Sequence, residues 1–274
     1  MSDDSQTPGP VAAGEAEDSG AASVTSTVDS GRSVRAVVGR AAVIIVTATL
    51  VGRLLGLARD MVVANFFGAR PEADAFFLAF KVPYLLTLMV TGALTATFVP
   101  LFSYRLATGR KREAWDLSVN MGNIIAVVLV ALSAILVGIA QWFIPLIGPG
   151  LDDETTAQGV FLFRILMIGL VFEGLTGLVI GMLNSLRRFA LAAFAPAVGT
   201  VVTLIITIVF EPSLGITSLA IGFVAGWVAG LLVLFPGLRG ERVQYRPRID
   251  WHDPGVREVG GMIWPILIGS AVGK

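Results

Sequence analysis

Three charged side chains interrupt an otherwise apolar stretch of the sequence: Arg53, Arg59 and Asp60, within GRLLGLARDM at 52–61. A guanidinium keeps its charge at every accessible pH and presents a planar fork of donors. Guanidiniums held beside a wet cavity therefore make a cationic binding face. On a helical wheel at about 100° per residue, the three charges share a sector of roughly 120° with Gly52 and Gly56, and the leucines fill the opposite arc. The two glycines form a small-xxx-small pair, which either admits a neighbouring helix closely or leaves room for water. Arg53 and Asp60 lie two turns apart, about 10 Å along the axis, too far for a direct pair. A charge in a lipid-facing position costs several kcal/mol, so the arrangement predicts a cationic face turned to a cavity, with Arg53 deepest.

Further charges lie in similar surroundings. Lys81 and Pro83 stand together in AFKVPYLL, where the proline removes a backbone hydrogen bond and bends the helix. Lys81 is a second candidate for the cavity. Arg164 and Glu173 are nine residues apart, which puts them on opposite faces of one helix. Arg164 reads as an interface anchor, and Glu173, deeper, as a polar packing or proton-linked residue. The lone His252 sits in a polar loop with no second ligand at metal spacing. There is no cysteine, so disulfides and thiolate metal sites are excluded. No GxxxxGK, HExxH or GxSxG pattern occurs, and no enzyme, cofactor or metal site is expected.

The elements that must position these residues are long and apolar. Of 274 residues, 55% are hydrophobic and only 15% charged, with mean hydropathy +0.79. A soluble domain carries about a quarter charged residues, so an all-α polytopic membrane bundle is expected. Net charge is zero, and nothing points to nucleic acid. Apolar runs at roughly 36–64, 74–103, 117–147, 157–184, 190–210 and 214–238 are each long enough to span, and a shorter one follows at 256–274. That predicts six spans and an incomplete seventh, as if the chain were interrupted there.

Arginine and lysine mark one side of the membrane. They gather before the first span (Arg32, Arg35, Arg40), between the second and third (Arg105, Arg110, Lys111, Arg112), between the fourth and fifth (Arg187, Arg188) and between the sixth and seventh (Arg239, Arg242, Arg246, Arg248, Arg257). The alternate loops carry Arg70 alone, or acids such as Asp152, Asp153, Glu154 and Glu211. This places the amino terminus in the cytoplasm. Residues 1–34, without an aromatic residue, read as a disordered cytoplasmic tail. Residues 35–250 form the six-helix lobe, and 251–274 form a cytoplasmic connection with the start of span seven.

The block GRLLGLARDMVVANFFGARPEADAFFLAFKVP resembles the amino-terminal signature of the MurJ (MviN) family of lipid II flippases, within the multidrug/oligosaccharidyl-lipid/polysaccharide exporter superfamily. GALTATFVPLF, GMLNSLRRFALAAFAP and PRIDWHDPGVREV extend the resemblance over about residues 40 to 274. It implies the first six-helix lobe of a fourteen-span flippase. Two such lobes rock about a central cationic cavity and carry the lipid-linked peptidoglycan precursor from the inner to the outer leaflet of the bacterial plasma membrane. It also implies substrate contact by Arg53, Arg59, Asp60 and Lys81, and a gate at Asp74. Where many members carry Arg-Arg and a glutamate in span two, this sequence has Thr87, Leu88 and Thr91. Another polyprenyl-diphosphate sugar therefore stays open as the lipid partner. A cation-coupled antiporter of the same superfamily, with Glu173 in coupling, and a non-transporting membrane scaffold are the competing classes. The coupling ion is undetermined.

Overall fold

The computed structural model describes residues 16–68, 70–241, 249–259 and 261, with the side chains from Ala42 onward and of Gly39. The chain divides into two units, Met1–Ile44 and Ile45–Lys274. Six α-helices follow one another: α1 (Ala16–Phe66), α2 (Pro71–Ala107), α3 (Lys111–Ile147), α4 (Asp153–Ser185), α5 (Phe189–Leu214) and α6 (Thr217–Leu234), closed by a 3-10 turn at Phe235–Leu238. Each contains a stretch long and apolar enough to cross a membrane, that of α1 being Ala42–Phe66. Backbone groups have no water to bond in hydrocarbon, so an all-helical chain follows from the composition.

The helices outrun the apolar patterns at most ends because their caps are polar. Helix α2 starts with Pro71 in its first turn, where a missing N–H costs nothing, and Glu72 and Asp74 oppose the positive end of the helix dipole. Asp152 caps α4: its carboxylate accepts from the Thr155 hydroxyl at 2.5 Å and the Thr155 N–H at 3.3 Å. Helix α1 begins at Ala16, inside the stretch expected to be a tail. No proline lies between Pro10 and Pro71 to stop a helix there. Residues 1–15 lie outside the described residues, as do 262–274, which hold most of the expected seventh span.

Helix α4 is the centre of the second unit, packed on α2, α3 and α6, while α5 pairs chiefly with α6. The α5–α6 contact is backbone to backbone. A Cβ on Gly226 would stand 2.5 Å from the Gly199 carbonyl oxygen, and one on Gly222 would stand 2.9 Å from that of Thr203. Only small residues allow this approach. The Thr203 hydroxyl also donates to the Gly222 carbonyl at 3.1 Å. Gly199 and Thr203, facing Gly222 and Gly226, are thus a small-residue seam.

Helix α1 differs from the others. Among the described residues it forms no extended seam with another helix. Val63, with Phe67 just beyond the helix end, joins the main core cluster, and Ala48 is the other buried side chain of the span.

The connection after α6 is held on the basic-loop side. Asn120 of α3, 1% exposed, bonds the backbone of Asp250. A short helical segment at 254–259 follows, with Val256 and Val259 buried beside Phe102, Trp115, Leu117 and Met121. Glu241 draws three loops together, reaching Lys111 Nζ at 3.5 Å and Arg188 Nη2 at 3.7 Å. Arg188 also donates to the carbonyls of Gly237 and Arg239.

Candidate functional site

The charged stretch of α1 lies within a continuous helix, and its three members have different surroundings. Arg53 is exposed, and its side chain has no hydrogen bond or ion pair among the described residues. Arg59 is half-buried and donates from Nε (3.1 Å) and Nη2 (2.8 Å) to one oxygen of its neighbour Asp60. Its guanidinium also lies over the Phe223 ring of α6, 5.3 Å from the centroid. A carboxylate on one side and an aromatic face on the other fix the fork in place. Asp60 itself keeps 64% of its side chain exposed.

The glycine pair resolves the alternative left open by its spacing. A Cβ at Gly52 or at Gly56 would meet nothing within 4 Å. At these two positions nothing described approaches, so the small residues leave open room on the Arg53 side of the face, while Phe223 of α6 reaches Arg59 further along. Two cavities, of about 610 and 380 Å³, lie elsewhere, lined by α2, α3 and the loops next to them. Neither is lined by a described residue of α1.

The ring under Arg59 belongs to an aromatic cluster. Phe223 packs on Phe80 (centroids 4.7 Å apart), Phe76 (5.8 Å) and Trp227 (5.9 Å), and Tyr84 stacks on Phe80. Phe76, Phe80 and Tyr84 follow at four-residue spacing along α2, and Phe223 and Trp227 do so along α6. That periodic signal was present in the sequence but did not reveal which ring would meet Arg59. Lys81, next to Phe80, is exposed and has no hydrogen bond or ion pair among the described residues. Asp74 is exposed in the first turn of α2. The structure brings Arg59 and Asp60 into contact and gives no contact of either with Arg53, Lys81 or Asp74.

Glu173 is partly buried on the face of α4 between Gly169, which meets Trp227 of α6, and Gly177, which meets Thr91 of α2. It has no hydrogen bond or ion pair among the described residues. Helices α2 and α4 cross in the same direction, so Thr87 stands about level with Glu173 if Thr91 stands level with Gly177. The Thr87 hydroxyl is itself buried without a partner among the described residues. Arg164 is exposed.

The family model described as Lipid II flippase MurJ matches residues 63–273. The lipid II flippase MurJ of Burkholderia cenocepacia is 32% identical over 241 residues, covering 82% of this chain and 46% of the relative. That of Thermosipho africanus is 33% identical over 181 residues, covering 65% of this chain and 37% of the relative. The chain thus spans about half the length or less of these relatives. Among solved structures, a lipid II flippase MurJ in an inward closed conformation superposes with TM-score 0.70 at 24% identity, over 83% of this chain and 48% of that one. An outward-facing multidrug resistance MATE transporter of the MOP superfamily gives TM-score 0.68 at 16% identity, over 86% of this chain and 53% of that one. The MATE likeness shows a helix arrangement shared with that transporter, while the sequence match over 63–273 is particular: this chain is a multi-pass membrane protein belonging to the MurJ lipid II flippase family.

Proposed function

We propose that the protein moves a polyprenyl-diphosphate-linked sugar, lipid II before others, from the cytoplasmic to the outer leaflet of the bacterial plasma membrane, with its amino terminus in the cytoplasm. The observation that carries this is the face of α1: Arg53 free and exposed beside open space at Gly52 and Gly56, and Arg59 oriented by Asp60 and Phe223. Arg53 is the group available to take the diphosphate, and Arg59 is the pre-oriented second contact. Lys81 supplies a further positive charge and Asp74 lies at the outer gate.

Transport of this kind needs no bond to be made or broken by the protein. Binding the anion in one lobe orientation and releasing it in the other requires only that the two states hold it differently. The replacement of a basic pair and a glutamate by Thr87, Leu88 and Thr91 lowers the positive charge of span two, which keeps another polyprenyl-diphosphate sugar as the second reading. Glu173 is the carboxylate placed to couple transport to an ion, or to serve packing alone.

The test is lipid II exposure on the outer face of cells depleted of their own flippase and supplied with this protein. Arg53→Ala and Arg59→Ala should each abolish exposure and growth, with protein levels unchanged. Normal exposure with both variants would remove the reading.

A further inference from the structure

The larger cavity, about 610 Å³, lies between α2 and α3, away from the α1 arginines. Its walls are apolar: Leu86, Val90 and Leu94 of α2 face Met121, Val128 and Leu132 of α3. Along α3 from Met121 to Leu132 the axis rises about 16 Å, roughly half of a 30 Å hydrocarbon core. The groove is therefore as deep as one leaflet.

Its two ends differ. Leu86 and Leu132 are at mid-helix, while Leu94 and Met121 lie toward the basic loop that joins α2 to α3. At that end the short 254–259 segment adds Arg257, the one charged residue among the described lining, and Trp251 also lines the groove. The Arg257 side chain is exposed and has no partner among the described residues. Trp251 is half exposed, as an aromatic ring at the membrane–water boundary would be.

We infer that this groove holds an acyl chain of an anionic glycerophospholipid from the basic-loop leaflet, with its phosphate on Arg257. The match is in length, polarity and charge at once: an apolar slot one leaflet deep, opening at an uncommitted guanidinium. Guanidinium binds phosphate with directed, charge-assisted bonds. An anionic headgroup is further favoured by Arg105 and Arg110, which line the second cavity with Glu258, the neighbour of Arg257, since juxtamembrane basic residues attract acidic lipid. The site is separate from the α1 face and does not depend on what the protein transports.

The test uses the complete protein in nanodiscs containing trace phosphatidylglycerol or phosphatidylcholine with a photoactivatable group in the acyl chain, followed by peptide mapping. Phosphatidylglycerol should label 86–94 and 121–132 at least threefold more than phosphatidylcholine does. Arg257→Glu should abolish that preference, while labelling of the exposed α5 residues Ile205 and Val209 stays constant. Ala93→Trp, which fills the groove, should lower labelling by both lipids. Arg257 is exposed, so its variant reports even where Ala93→Trp fails to fold. Equal labelling by the two lipids, a preference that survives Arg257→Glu, or groove labelling no higher than that of α5 would overturn the inference.

Discussion

Asn120 and Asp250 exchange two hydrogen bonds: the Asn120 amide nitrogen donates to the Asp250 carbonyl at 2.9 Å, and the Asp250 backbone N–H donates to the Asn120 amide oxygen at 2.8 Å. One buried side chain thus satisfies a passing strand of backbone in both directions. Asn120→Ala leaves both backbone groups without their partner and should lower stability by about 1–3 kcal/mol. Asn120→Asp turns a carboxylate oxygen toward the Asp250 carbonyl in a buried site and should lower stability at least as far as Asn120→Ala does. Thermal unfolding in detergent gives the order, and hydrogen exchange at 249–259 should accelerate in the same order. Equal melting of all three proteins would show that the clamp contributes nothing.

Phe223 supports Arg59 without bearing charge. Phe223→Leu preserves apolar volume and removes the ring face, a contribution of about 0.5–1 kcal/mol for such a contact. Initial rates of lipid II transport should drop about two- to fivefold, the change that this energy represents. Arg59→Lys keeps the charge but not the two-nitrogen grip on Asp60, and should lose more than Phe223→Leu does. Rates unchanged in both would mean that the orientation of Arg59 is immaterial.

On the basic-loop side, Arg188 should matter more than its acidic partner. It donates to two carbonyls as well as pairing with Glu241. Arg188→Ala leaves those carbonyls unsatisfied, for a loss of about 1–3 kcal/mol. Glu241→Gln removes only long, partly solvated ion pairs, for about 0–1 kcal/mol. Raising salt should weaken the wild type toward Glu241→Gln and leave Arg188→Ala largely unaffected. A larger loss at Glu241 than at Arg188 would contradict the assignment.

The cap of α4 predicts a pH dependence. Hydrogen bonds from the Thr155 hydroxyl and N–H to the Asp152 carboxylate hold its pKa below the usual range. A depressed carboxylate stabilises the folded state above its unfolded pKa, about 3.9 for a free aspartate. That contribution disappears as pH falls through the lower folded value. Asp152→Ala should therefore melt earlier than wild type at pH 7, with the gap narrowing below about pH 4. Asp152→Asn, an effective cap with no charge, should narrow the gap at pH 7 too. A gap independent of pH would refute the role of the charge.

The six spans and the singular character of α1 were legible in the sequence because both are local. A run of twenty apolar residues, or three charges on one helical face, needs no knowledge of the rest of the chain. The contents of the site were only half legible. The wheel put Arg59 and Asp60 on one side of α1, but Phe223 is far away in sequence and reaches Arg59 only through the docking of α6. The orphan hydroxyl of Thr87 near the level of Glu173 was equally hidden, since it follows from the parallel run of α2 and α4. Asn120 gave no signal, because its partner is a backbone and any residue at 250 would serve. The glycines at 222, 226 and 230 stand at four-residue spacing in the sequence, but nothing local pairs them with Gly199 and Thr203 of α5.

The contact between Gly226 and Gly199 has a mechanical consequence. Where two main chains approach this closely, sliding one rod along the other drives carbonyl oxygens together and breaks the Thr203 bond to Gly222, so the α5–α6 pair resists shear. A rearrangement that carries one of these rods must carry its companion through the same displacement. Reporter groups at Ile205 and Ile221 would then keep a constant separation whatever the orientation of the lobe, making the pair an internal ruler against which the travel of α1 can be read.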